Sequence, residues 1–250
     1  INSVALEHFE TPTIPLPTAS VSVVIPVYRD ARALANLLTR IAAMTPAVEE
    51  ILVVDGSGDT ECQSIGDRPG IRYFRGESCR GAQLHLGATL ARGEIIWFLH
   101  ADAEPVPESV RLIQQHIAQG NIGGHFRFRF AGERRWFKHV LETAINIRAR
   151  LAIPYGDQGL FVRQDYYCDA GGFAPVPLFE EVRLVRQLRQ LGRFGPVDAD
   201  IGVATRRWER DGWLRRSLRN RMLALRFMLG STPEQLARSY RSGLHSDRTD

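Results

Sequence analysis

Between residues 21 and 99, short β-branched apolar runs alternate with segments of helical periodicity, and that alternation leaves few folds open to the chain. Val21 to Ile25 reads as a strand, and Ala31 to Met44 as a helix with Leu34, Leu37, Leu38 and Ile41 on one face. Glu50 to Val54 and Ile71 to Phe74 are further strands, and Gly81 to Ala91 is a second helix. Glu94 to Leu99 reads as a fourth strand, continuously apolar from Ile95 onward as a buried parallel strand is. Strands separated by helices imply crossover units and a mostly parallel sheet flanked by helices, an α/β class of Rossmann-like kind.

The second half is less regular. A helix is expected from Glu108 to Gln119, followed by a strand in which Phe126, Phe128 and Phe130 face one side and Arg127 and Arg129 the other. Helices are expected over Arg134 to Leu151, Glu180 to Leu191 (ended by Gly192) and Trp213 to Leu229. Thr232, Pro233 and Gln235 supply the N-cap, first-turn proline and capping-box partner of a last helix. Residues 1–20, with Pro12, Pro15 and Pro17 and no periodicity, read as an extended arm before a single domain over 21–250 with a helical C-terminus.

With 250 residues, 44% apolar and 24% charged, the chain can bury an ordinary core. Its apolar runs fall well short of the roughly 18 residues a spanning helix needs. The start INSVALEHFETPTIPLPTAS has neither the basic nor the apolar stretch of a secretory signal, so a cytoplasmic location is expected. Cys62, Cys79 and Cys168 are widely spaced and read as ordinary thiols. The net charge of +4 is concentrated: Arg206 to Leu229 holds eight arginines against Glu209 and Asp211, a net of +6, on an otherwise slightly acidic body. That pattern suits a local anion site and not a nucleic-acid face. Arg215 to Arg226 reads as a solvated face, with weak contact to a membrane surface as its second reading.

In an open parallel sheet, ligands lie beyond the carboxyl ends of the strands. Those ends read PVYRD (Pro26 to Asp30), VVDGSGDT (Val53 to Thr60), GESCRGAQLHLG (Gly76 to Gly87) and LHADAEP (Leu99 to Pro105). No glycine follows the first strand and the one lysine, Lys138, is in no phosphate motif, which excludes the dinucleotide and P-loop signatures. A phosphatase of the haloacid-dehalogenase kind would need DxDx[TV] after the first strand, also absent. What remains is an Asp after two apolar strands, Asp55 and Asp102, and a helix start at Arg80 whose free N–H groups suit phosphate.

These segments, with GDQG (156–159), GGF (171–173), LFEEVRLVRQLRQLGR and RRWERDG, resemble the family-2 glycosyltransferases of GT-A fold over about residues 20–230. GDQG and RRWERDG most resemble the selenium-associated subgroup, which includes selenosugar synthases. The resemblance implies a transferase moving a sugar of N-acetylglucosamine or glucose type from a UDP-sugar donor to selenium of selenophosphate, a small anionic acceptor. The alternative acceptor is a lipid or polyol hydroxyl. It also implies that Pro26, Val27, Tyr28 and Asp30 line the uridine, Asp55 binds the base or ribose, and Arg80, Gly81 and Gln83 approach the donor. Asp102 would hold Mg²⁺ or Mn²⁺ on the diphosphate. The family's first metal-motif carboxylate is replaced by His100, with Glu104 as a candidate substitute. Of the pair Glu180 and Glu181, the second stands in the position of the acceptor base. Arg206 and Arg207 would clamp the leaving diphosphate, Trp208 beside them would bind the nucleotide sugar, and Asp157 and Gln158 would face sugar or acceptor.

Overall fold

The computed structural model describes residues 19–238. The expected arm at 1–20 therefore lies almost wholly outside the described residues. The elements are β1 (Val21–Val27), α1 (Ala31–Ala42), β2 (Glu50–Asp55), α2 (Thr60–Gly66), β3 (Ile71–Arg75), α3 (Arg80–Leu90), β4 (Ile95–Phe98), β5 (Ala103–Glu104), α4 (Ser109–Ala118), β6 (Gly123–Phe130), α5 (Trp136–Leu151), β7 (Phe161–Arg163), α6 (Gln164–Asp169), α7 (Glu181–Leu191), β8 (Phe194–Val203), α8 (Arg206–Asp211) and α9 (Trp213–Met228). A helix over 233–238 follows, with the reciprocal Thr232 and Gln235 bonds of a capping box, as expected.

The strands form one sheet in the order β3-β2-β1-β4-β7-β6-β8-β5. β1 to β4 are parallel, as the alternation predicts. Beyond β4 the sheet is mixed: β7 is antiparallel to both β4 and β6, β8 is parallel to β6, and β5 is antiparallel to β8. Successive residues of β1 feed opposite cores. Val23 and Ile25 pack with α1 residues such as Leu34 and Leu37 on one face, while Val24 packs with Leu84 and Ala88 of α3 on the other. Helix α3 lies so near the sheet that a Cβ at Gly87 would meet Val24 Cγ1 at 2.3 Å.

Strand β8 went unread in the sequence because Gly195, Pro196, Asp198 and Asp200 all disfavour strands. Tertiary pairing overrides that preference: Arg127 of β6 bonds Asp200 at 2.9 Å and Asp198 at 2.6 Å. Pro196 lies beyond the two residues, Gly202 and Val203, where β5 covers the outer edge, so its missing N–H costs no ladder bond on that side. Because β7 runs against β4, the turn that precedes β7 arrives at the same edge as the carboxyl ends of β1 and β4, and the end of β8 joins them. Ligand-facing groups thus gather there from four parts of the chain.

Candidate active site

A cleft of about 340 Å³ opens at that edge. Its floor is Pro26 and Val27, which end β1, and Tyr28 and Asp30 just after it, with Gln83 of α3 beneath. Gln83 is buried, and its Nε2 donates to Val27 O at 2.9 Å and Val54 O at 2.8 Å, clamping the ends of β1 and β2 together. His100, Ala101 and Asp102 enter after β4, and Tyr155, Gly156 and Asp157 before β7. Leu178, Phe179 and Glu181 enter ahead of and at the start of α7, while Trp208 of α8 and Arg216, Asn220 and Leu223 of α9 close the opposite wall. Ten sequence-predicted residues are therefore brought together: Pro26, Val27, Tyr28, Asp30, Arg80, Gln83, Asp102, Asp157, Glu181 and Trp208.

The others are placed differently. Asp55 is fully buried off the cleft and accepts from Ser57 N (2.8 Å), Ser57 Oγ (2.6 Å) and Tyr73 OH (2.7 Å). Burial would raise its carboxyl, but these bonds outweigh it and hold the group below the usual range. Asp55 thus organises the turn after β2 where nucleoside contact was expected. Gly81 approaches another part of the protein: a Cβ there would meet Ala174 O at 2.0 Å, so its smallness seats the 174–176 backbone on α3. Gln158 turns inward, with its Oε1 accepting from Tyr155 N and its Nε2 donating to Phe126 O. The 156–158 turn is closed by Gly159 at φ 57°, and sends adjacent residues to opposite sides, Asp157 to the cleft and Gln158 to the core. Glu104 pairs with Arg40 at 3.2 Å on α1 and does not replace the missing metal carboxylate.

The two glutamates divide. Glu180 is buried and bound by Arg80 through Nε and, at 3.0 Å, through the terminal nitrogen. It neutralises Arg80 and leaves no lone carboxylate for a base. Glu181 is buried at the cleft wall, and its Oε2 has no hydrogen-bond partner among the described residues. Burial, and then the Glu180 charge, push its carboxyl well above the ordinary carboxylate range. Asp157 is likewise raised, to about 6, by burial and the nearby Asp102 charge against the pull of Arg148 and Arg80, and its Oδ1 is also unpartnered. Unsatisfied buried acids facing one cleft are the mark of groups kept for a ligand.

Arg206 bonds Asp30 at 2.8 Å, tying α8 across the mouth to the loop after β1. Arg207 lies on α8, and its side chain falls outside the described residues. Both positive-φ residues other than glycine among the described residues border the cleft or its floor: Arg29 (φ 50°) and Phe179 (φ 58°). Such backbone is strained and persists where surrounding packing imposes it. Phe179 is held between Tyr155 (5.8 Å between ring centres) and Phe227 of α9 (4.5 Å), and Arg148 stacks 3.5 Å over Tyr155.

Sequence reasoning missed Tyr155, Phe179, Asn220 and Leu223, and read Arg216 as solvent-exposed. Arg216 is 4% exposed, lines the cleft and bonds Asp211 at 3.0 Å. The available signal was the spacing Trp213, Arg216, Asn220, Leu223, Phe227, a single helical stripe carrying polar residues on the buried side.

Among the described residues no three His, Cys, Asp or Glu side chains converge as a metal site. One cleft carboxylate, Asp102, beside His100 fits an ion held mainly by diphosphate oxygens, the habit of Mg²⁺, and not a protein-built cage.

Residues 22–176, more than half of the chain, match the family model described as Glycosyl transferase family 2. The chain is 31% identical over 163 residues to the undecaprenyl-phosphate 4-deoxy-4-formamido-L-arabinose transferase of Pseudomonas paraeruginosa, covering 60% of this chain and 48% of that protein. The enzyme of that name from Aeromonas hydrophila is 28% identical over 157 residues, or 57% of this chain and 48% of its own length. The chain thus spans about half the length of the curated relatives it matches. Among solved structures, the mannosyltransferase PcManGT of Pyrobaculum calidifontis, in complex with GDP-Man and Mn²⁺, has a TM-score of 0.56 at 18% identity over 74% of this chain and 56% of that one. Glucosyl-3-phosphoglycerate synthase of Mycobacterium tuberculosis, with Mn²⁺, UDP and glucosyl-3-phosphoglycerate, gives 0.54 at 18% over 74% and 71%. At such identities the likeness is one of fold, a GT-A sheet with flanking helices. Through the family match over most of its sheet, the chain belongs to glycosyltransferase family 2.

Proposed function

We propose that the chain transfers a sugar from a UDP-sugar to the phosphate oxygen of a lipid-linked acceptor. The observation that carries this reading is the convergence of Pro26 to Asp30, Asp102, Asp157 and Glu181 on one cleft in a family-2 chain. The base and ribose rest on Pro26 to Asp30 above the Gln83 clamp, with Asp30 held by Arg206. Asp102 would hold a divalent cation, which would supply positive charge toward the leaving diphosphate. The sugar lies between Asp157 and Glu181. Acceptor oxygen bonds the anomeric carbon as the bond to the diphosphate oxygen breaks, and UDP departs with that electron pair.

Two features favour an anionic acceptor oxygen over a neutral alcohol. A phosphate needs no deprotonation, and Glu181, which holds its proton more firmly than an ordinary carboxyl, is suited to donate a hydrogen bond to it. On the wall formed by α9 stands Arg216, whose guanidinium, paired with Asp211 at 3.0 Å, has further N–H donors suited to an anionic oxygen. The relatives' name, undecaprenyl-phosphate transferase, supports a lipid phosphate ahead of the selenophosphate that the motifs suggest. The deciding assay is UDP release from UDP-sugars with Mn²⁺ in the presence of a polyprenyl phosphate, a long-chain alcohol or selenophosphate. Release with polyprenyl phosphate is expected. Release with selenophosphate alone would restore the selenosugar reading, and release with neither phosphate would refute the anionic acceptor.

A further inference from the structure

Ten of the twelve exposed large apolar side chains among the described residues lie on α5, on α9 or at Leu229, which ends α9. Scattered exposed leucines need no explanation, but this concentration on two helices does. On α9 the row Leu214, Leu218, Met222, Leu225 recurs every three or four residues, on the side opposite to Arg216, Asn220 and Leu223, which face the cleft. On α5 the row is Trp136 (81% exposed), Val140, Ile147 and Leu151, opposite the buried Lys138, Glu142 and Ala149.

The two rows lie on helices that are tied to each other near both ends. At their N-terminal ends the helices meet through Phe137 and Trp213, with ring centres 5.1 Å apart. At the other end Tyr155, four residues beyond α5, and Phe227 of α9 both pack on Phe179. The helices therefore touch near their N-terminal ends and are linked again through Phe179 near their C-terminal ends, each with its apolar row exposed. On α9, the α-helical periodicity puts Arg215, Arg219 and Arg226 along one flank of the row and Arg221 along the other, and the helix contains no acidic residue. An apolar strip edged on both sides by arginine and free of carboxylates complements an anionic lipid surface: the strip enters the acyl boundary and the guanidinium groups reach headgroup phosphates. A second copy of the same face would instead set arginine against arginine.

We propose that α5 and α9 form a docking face by which this protein lies on an anionic membrane. No helix among the described residues is long and apolar enough to cross a bilayer. The inference stands on this face alone and not on the acceptor's identity. It has a geometric consequence: the helix that meets the lipid is the one whose inner side walls the cleft through Arg216, Asn220 and Leu223.

The test is co-sedimentation of the full chain with vesicles of phosphatidylglycerol and phosphatidylcholine, against vesicles of phosphatidylcholine alone. Preferential binding to the anionic vesicles is expected, weakened by salt. Leu218→Glu with Leu225→Glu should reduce it by about tenfold or more, and Arg221→Gln with Arg226→Gln by about fivefold for each arginine. These residues are outward and outside the cleft, so melting temperature and acceptor-independent hydrolysis of the donor should stay at the wild-type level in each variant. Wild-type protein left in the supernatant, or glutamate variants that bind as wild type, would overturn the proposal. So would a dimer in sedimentation velocity that the leucine substitutions convert to monomer, which would assign the face to a second copy.

Discussion

Replacing Glu180 by Gln removes a charge while keeping the side chain's shape, and so isolates the pair it makes with Arg80. Glu180 is fully buried in its side chain, whereas Arg80 keeps 35% of its side-chain exposure. Breaking a wholly buried pair costs about 3–5 kcal/mol, but water can reach part of the Arg80 guanidinium, which lowers the expected loss to about 2 kcal/mol. In a domain of this size that is a fall of about 4–8 °C in melting temperature. The substitution also bears on Glu181, whose carboxyl is raised by burial and by the Glu180 charge. Because the folded value lies above the unfolded one, the stability held by protonated Glu181 is complete at pH below the unfolded value and is lost as pH rises through the folded value. Without the neighbouring charge, Glu181 should titrate at lower pH, and this loss should become smaller and end earlier. Thermal melts of both proteins across pH 4 to 9 read both effects. An unchanged melting temperature at neutral pH would refute the buried-pair account, and a Glu181 titration that stays put or moves upward would refute the electrostatic one.

Other outcomes follow from the same geometry. Gly81→Ala should destabilise the fold by about 1–3 kcal/mol, seen as a lower denaturation midpoint, since its methyl would overlap Ala174 O. Asp157→Asn should stabilise the unliganded protein above pH 6 by at most about 3 kcal/mol, with the gain vanishing toward pH 4, because the wild-type carboxyl is raised from 3.8 to about 6 and carries its buried charge only at higher pH. The same variant should lose turnover, and unchanged turnover would remove Asp157 from the site. Chelation by EDTA should abolish UDP release, Mn²⁺ or Mg²⁺ should restore it, and Asp102→Asn should lower metal-dependent turnover by about a hundredfold.

Much of the part of the cleft built from β1 to β4 was legible in the chain, because β1 to β4 and α1 and α3 follow local periodicity and their ends fall at fixed places in a parallel sheet. Pro26 to Asp30 and Asp102 needed nothing more to be placed there. The opposite side was less legible, since it is assembled by pairings between residues far apart. Strand β8 exists against its own composition because it pairs along β6 from Phe194 to Val203. Neighbouring residues of similar chemistry were separated only by packing: Glu180 neutralises Arg80 while Glu181 faces the cleft, and Asp157 points to ligand space while Gln158 points to the core.

The sequence by itself determined the layered α/β architecture, the run of parallel strands and the acidic strand ends, because hydrophobic periodicity and turn chemistry act over a few residues and are written directly in the chain. Tertiary structure alone decided that Asp55 is a turn's internal acceptor, that Glu104 pairs with Arg40 on α1, and that one face of α9 walls the cleft while its other face, like the outer row of α5, stands bare. Burial, charge partners and exposed faces depend on which distant segment lies opposite, and that becomes definite only when the sheet closes.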